Sequence, residues 1–145
     1  MLNRRVRKDE PMDALISALL PFLVLVESGG DPNAIGDNGL AVGILQIHPV
    51  YLRDVNRILD RGEFELEDRL NPERSMVMAT IYLRHYGTRY RRLTGKEPTF
   101  EVLARIHNGG PDGWKNPATV RYWKKVRDVL CSRRNSAKDA EEKAT

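Results

Sequence analysis

The chain has 145 residues, 41% of them hydrophobic and 30% charged, enough for one domain with a proper core and no need of disulfide staples. A formal charge of +4 and a pI of about 9.4 favour an anionic partner such as nucleic acid, a membrane surface or an acidic cell-wall polymer, without choosing among them. The lone Cys131 excludes an internal disulfide, and His48, His85 and His107 lack metal-ligand spacing, so no metal or other cofactor is expected.

Residues 1–10 are polar and charged and read as a flexible arm. Pro11 suits a first helical turn, and a helix is predicted from there to about Ser28 with Leu15, Leu19, Phe22, Leu23 and Val26 on one stripe. Pro21 either kinks this helix or marks its true start. The apolar run looks too short to cross a bilayer, and the acidic Asp9, Glu10 and Asp13 break the pattern of an export signal. Gly29 and Gly30 stop the helix. Residues 29–43 form a structured loop in which Asp37-Asn38-Gly39 favours a short β-hairpin, followed by the apolar strip Ile44–Ile47. A helix is predicted from Pro49 to Leu59. Asn71-Pro72 then opens the longest helix, to about Arg92, with Met76, Ala79, Ile81, Tyr82, Leu83 and Tyr86 inward. Thr99 caps a helix through Ile106. Asn116-Pro117 repeats the cap-and-proline start for a last helix to about Ser132, where Cys131 reads as a small apolar residue. The charged remainder, 133–145, reads as a disordered tail. The sum is a mainly α single domain, residues 11–132, with an irregular or hairpin-bearing loop after its first helix.

Glu27 stands out. It ends an apolar run at a helix C-terminus, where the macrodipole disfavours a second negative charge. Leu25, Val26 and the Ile44–Ile47 strip would desolvate it. Both effects raise a carboxylate's pKa toward the range a general acid needs. Gly29 and Gly30 leave room beside it for a polymer.

The ordered set Glu27-Ser28-Gly29-Gly30-Asp31-Pro32-Asn33-Ala34, Gly43-Ile44-Leu45-Gln46-Ile47, Ile106-His107-Asn108-Gly109-Gly110-Pro111 and Thr119-Val120-Arg121-Tyr122-Trp123-Lys124-Lys125-Val126 resembles the soluble lytic transglycosylase catalytic domain, related to goose-type lysozyme. The resemblance covers roughly residues 12–130. It implies a lysozyme-like fold and cleavage of the β-1,4 bond between N-acetylmuramic acid and N-acetylglucosamine, leaving a 1,6-anhydro end. It also implies Glu27 as the single acid/base, Gln46 and Asn108 along the sugar cleft, and Tyr122 near the carboxylate. Ser28 and His107 join the substrate-binding set by position, although Ser28 also reads as a backbone support. Here His107 stands where the family commonly has Tyr, which would make activity sensitive to pH near neutrality. His48 follows Gln46-Ile47 where goose-type lysozymes carry an acid. That favours transglycosylation, while Asp37 keeps hydrolysis open as a possible second carboxylate.

Without such context a Glu near a helix end is usually surface, and Trp114 and Trp123 are as readily packing residues as sugar platforms. The basic residues Arg121, Lys124, Lys125 and Arg127 read as a solvated face. A rival reading is a non-catalytic peptidoglycan-binding or structural component; a specific nucleic-acid binder lacks any motif. The expected partner is the peptidoglycan glycan strand, met by a monomer without a transmembrane segment. Delivery to the wall or periplasm would then need another route, such as a phage lysis or virion system or dedicated export.

Overall fold

The computed structural model describes residues 2–144, with side chains from residue 9. Five α-helices carry the fold: α1 (Leu2–Ser28), α2 (Pro49–Leu59), α3 (Pro72–Thr94), α4 (Phe100–Gly109) and α5 (Val120–Ala144). Between α1 and α2 lies a two-stranded antiparallel hairpin, β1 (Ile35–Gly36) and β2 (Ala41–Val42), in the register Ile35 to Val42 and Gly36 to Ala41. Its turn takes left-handed backbone at Asp37 (φ 49), Asn38 (φ 57) and Gly39 (φ 92), as the Asp-Asn-Gly sequence allows. The mainly α class and the hairpin thus agree with the sequence reading.

The helix starts follow their caps. The Asn71 side chain accepts the Arg74 amide and Thr99 accepts that of Val102, with Pro72 and Pro49 in the first turns of α3 and α2. Asn116 accepts the Ala118 amide, but the segment Pro117–Thr119 is a 3-10 turn, and α5 begins only at Val120.

Both terminal helices run further than the sequence predicts. α1 begins at Leu2 instead of near Pro11. Asp9 and Asp13 staple its early part to α3 through Arg91 (3.3 Å) and Arg84 (2.7 Å). Pro21 is neither its start nor its end. It is exposed, and so is Ser17, whose carbonyl loses its partner to the missing proline N–H, so water can take the bond. With that continuity Asp9–Ser28 is long and apolar enough, by length and composition, to cross a membrane, contrary to the expectation that the run is too short. The same segment supplies Met12, Ile16, Leu19, Leu20 and Leu23 to the core. α5 continues past Ser132 to Ala144, because 133–144 contains no proline or glycine and is rich in Ala, Glu, Lys and Arg, which favour helix without any core to face. Cys131 is exposed there, not packed.

The inward faces meet in one cluster. Ile44, Leu45 and Ile47 fold over α1; Tyr51, Leu52 and Val55 enter from α2; Met78, Ala79, Tyr82, Leu83 and Tyr86 from α3; Leu103, Ala104 and Ile106 from α4; Val126 from α5. Of the predicted α3 stripe, Met76 and Ile81 lie at its edge, only partly buried.

Two devices fix the hairpin against this core. Arg69, 8% exposed, donates to the carbonyls of Leu40 (2.9 Å), Ile47 (2.9 Å) and Leu66 (3.0 Å). Gly43 (φ +84) then lets the strip pass so close that an added Cβ would lie 1.9 Å from the Arg69 carbonyl oxygen.

Candidate active site

The end of α1, the hairpin, α2 and the α4 C-terminus surround a cleft of about 780 Å3. Glu27 enters it from the last turn of α1, beside Val26. Asp37, Gln46 and His48 come from the hairpin segment, His107 to Pro111 from the end of α4, and Tyr122 and Lys125 from one face of α5. A size of this order accommodates part of a polymer lying across it.

Glu27 has its pKa raised from 4.5 to about 7, chiefly because burial penalises the carboxylate. Tyr122 and Lys125 pull it back down, and the charge of Asp37 pushes it up. The Tyr122 hydroxyl is buried beside Glu27 without completing a hydrogen bond of good geometry. It is poised to donate to the carboxylate once that ionises. A carboxyl group balanced this way can release and recover a proton near neutrality.

Ser28 does not line the cleft. Its hydroxyl donates to the Ile44 carbonyl at 2.8 Å, with Val24 as a weaker acceptor at 3.2 Å, and accepts the Gly30 amide at 3.1 Å. It therefore ties the carboxylate-bearing turn to the apolar strip, which matches the support reading rather than sugar contact. Gln46, in left-handed backbone (φ 51), donates through Nε2 to the carbonyls of Ala34 (3.1 Å) and Gly43 (3.0 Å). Its Oε1 lies where a Cβ on Gly36 would come within 2.5 Å, so the amide is clamped at the cleft edge.

His107 departs from its expected behaviour. It is 7% exposed, its Nε2–H donates to the Leu45 carbonyl (3.2 Å), and its Nδ1 accepts the Tyr51 hydroxyl (3.1 Å). The carbonyl can only accept, which fixes the tautomer. Burial lowers the His107 pKa to about 4, so the ring is neutral across the near-neutral range and does not make the site pH-sensitive there. The neutral ring ties the Leu45 carbonyl to the Tyr51 hydroxyl at the cleft wall. Tyr51 stacks on Tyr82 (ring centroids 3.7 Å apart, 14° between planes), and Tyr86 meets Tyr82 edge-on. Asn108 is exposed at the rim.

Asp37 also lines the cleft, 68% exposed and bonded to His48 Nε2 at 2.8 Å. Sequence reading missed a further carboxylate, Asp54, together with Val50, Arg53 and Arg57 beside it. Residues 50, 53, 54 and 57 recur at helical spacing opposite the core positions 51, 52 and 55, and that wheel was the available signal. Asp54 accepts from Arg57 Nε (2.9 Å) and from the Tyr86 hydroxyl, while Arg57 also donates to the Tyr86 oxygen (3.0 Å). Trp114 packs edge-on against Tyr90 (5.0 Å), and neither Trp114 nor Trp123 lines the cleft. Among the described residues no group of His, Cys, Asp or Glu is placed to hold a metal ion.

Comparison with known proteins places this geometry in context. The chain is 29% identical over 123 residues to a lysozyme of Ostrea edulis, covering 83% of this chain and 85% of that one. It is 46% identical over 54 residues to a lysozyme of Magallana gigas, covering 37% and 39%. It is 31% identical over 106 residues to the endo-type membrane-bound lytic murein transglycosylase A of Klebsiella pneumoniae, covering 72% and 42%, so the match spans less than half the length of the last two relatives. A chain in the crystal structure of Aeromonas hydrophila PliI in complex with Meretrix lusoria lysozyme superposes with a TM-score of 0.62 at 26% identity, covering 77% of this chain and 87% of that one. The fold is lysozyme-like. Residues 5–122 match the family described as Transglycosylase SLT domain, and the chain belongs to that family.

Proposed function

We propose that this chain is a peptidoglycan lytic transglycosylase, with Glu27 as the single general acid/base and a working unit within residues 11–132. The observation that carries the reading is Glu27 itself, a half-buried carboxyl group whose pKa desolvation raises to about 7, facing a cleft of about 780 Å3. Protonated Glu27 donates to the glycosidic oxygen between N-acetylmuramic acid and N-acetylglucosamine, and that bond breaks. The muramic acid's own 6-hydroxyl then attacks the anomeric carbon, and ionised Glu27 takes its proton. The product is a 1,6-anhydro sugar, no water is consumed, and Glu27 ends protonated as it began. An intramolecular hydroxyl has a high effective concentration, which removes the need for a positioned water and a second base. The donor position of the Tyr122 hydroxyl supports the ionised intermediate state of Glu27. Gln46 and Asn108 would meet the sugars along the cleft.

The other carboxylates of the cleft support a one-acid scheme, because both are engaged: Asp37 by His48, Asp54 by Arg57 and Tyr86. A second reading is hydrolysis of the same bond, with Asp37 as the second carboxylate. It is favoured by the likeness to lysozymes and by Asp37, which shares the cleft and whose charge is felt by Glu27.

Digestion of purified sacculi followed by mass analysis of the muropeptides separates the readings. Anhydro ends are expected from the wild type and from Asp37→Asn, with activity lost in Glu27→Gln. Reducing ends, lost in Asp37→Asn, would establish the hydrolase instead. Equal lysis by wild type and Glu27→Gln would refute both.

A further inference from the structure

The α2 wall of the cleft carries charges that the proposed chemistry does not use. Most of the charged groups lining the cleft are matched. Asp54 is held by Arg57 and Tyr86, and Asp37 by His48 at 2.8 Å. Two cations are left over. Arg53 on α2 and Lys125 on α5 are both exposed and both line the cleft. Among the described residues neither forms an ion pair or a hydrogen bond, and Lys125 acts on Glu27 only through its field. Val50, 64% exposed one turn before Arg53, gives the wall an apolar step beside the guanidinium. An uncharged polysaccharide has no use for two unmatched cations in its groove. A strand that carries carboxylates does.

We propose that Arg53 and Lys125 form a carboxylate-binding subsite that selects glycan strands bearing acidic substituents. The inference rests on the glycan-binding reading above and adds a determinant of specificity to it. In peptidoglycan the carboxylate could come from two places: the lactyl group of muramic acid, when unsubstituted, or the stem peptide attached there. The chemistry recognised is the same.

Binding is measured on Glu27→Gln protein, which holds the acid in its neutral form and prevents turnover. Calorimetric titration uses three soluble strands: peptide-bearing, amidase-stripped with free lactyl carboxylates, and stripped with those carboxylates converted to neutral amides. The expected result is a Kd about tenfold tighter for at least one charged strand than for the amidated strand, closing to within about twofold when Arg53→Gln and Lys125→Gln are added. Preference for the peptide-bearing strand alone assigns the peptide carboxylates, and preference for the stripped strand alone assigns the lactyl group. Equal affinity for all three strands, no binding of any, or a preference that survives the double substitution would overturn the subsite. Failure of the wild type to cleave sacculi while Glu27→Gln keeps the charge preference would refute the proposed reaction and leave the subsite standing.

Discussion

Holding Glu27 neutral makes folding proton-linked. Its pKa is raised from 4.5 to about 7, so within that window the folded state binds more protons than the unfolded one. Stability therefore falls as pH rises through the window, by about 3 kcal/mol in full, and stays reduced above it. Glutamine carries no such penalty. Urea unfolding of Glu27→Gln is expected to match the wild type near pH 4 and to exceed it at pH 8 by ~1–3 kcal/mol, while activity drops at least ~100-fold. His107 has the opposite sign. Its pKa is lowered to about 4, so its contribution is present above the ordinary histidine range and is lost as pH falls toward that value. The basic limb of the rate profile should track Glu27. Tyr122 lowers the Glu27 pKa and Asp37 raises it, so Tyr122→Phe should move that limb of kcat/KM to higher pH and Asp37→Asn to lower pH. Limbs unmoved by both substitutions would show that another group titrates.

At the scale of elements, the hairpin segment does the positioning. It has only two residues per strand, so its ladder cannot hold it in place. Ser28, Arg69 and Gly43 take over, through one hydroxyl on the Ile44 carbonyl, two guanidinium bonds to the Leu40 and Ile47 carbonyls, and one close backbone approach. Gly43→Ala puts a methyl group against the Arg69 carbonyl in left-handed backbone. The expected loss is ~3 kcal/mol or more by chemical unfolding. Ser28→Ala leaves the Ile44 carbonyl short of its donor, at a cost of ~1–2 kcal/mol. Its effect on activity should exceed its effect on Tm, since it loosens the turn that aims Glu27.

For the molecule as a whole, the net charge of +4 acts at long range. Cleavage of an anionic polymer should slow as ionic strength rises from ~0.01 to ~0.15 M, where the Debye length shrinks from ~30 to ~8 Å. The slowing belongs in KM more than in kcat, because the long-range field guides encounter and does not change once the strand is bound. A salt-independent kcat/KM on sacculi would mean that the charge serves no steering purpose.

By itself the sequence determined the helical stripes, the caps at Asn71 and Thr99, the Asp-Asn-Gly turn and the isolated acid at Glu27, because each is set by neighbours a few residues away. It misjudged the chain ends, where polar composition reports the lack of a buried face and not the lack of a helix. Only the tertiary structure decided the states of the site. His107 reads locally as a group that titrates near neutrality. It becomes a neutral brace because Leu45 and Tyr51, 62 and 56 residues away, enclose it. Asp54 reads as one more charge on a solvated helix, until α3 brings Tyr86 to it and the packing of Tyr51, Leu52 and Val55 turns it toward the cleft. Burial and long-range contact set a group's protonation and its partners, and neither is encoded within a window of the chain.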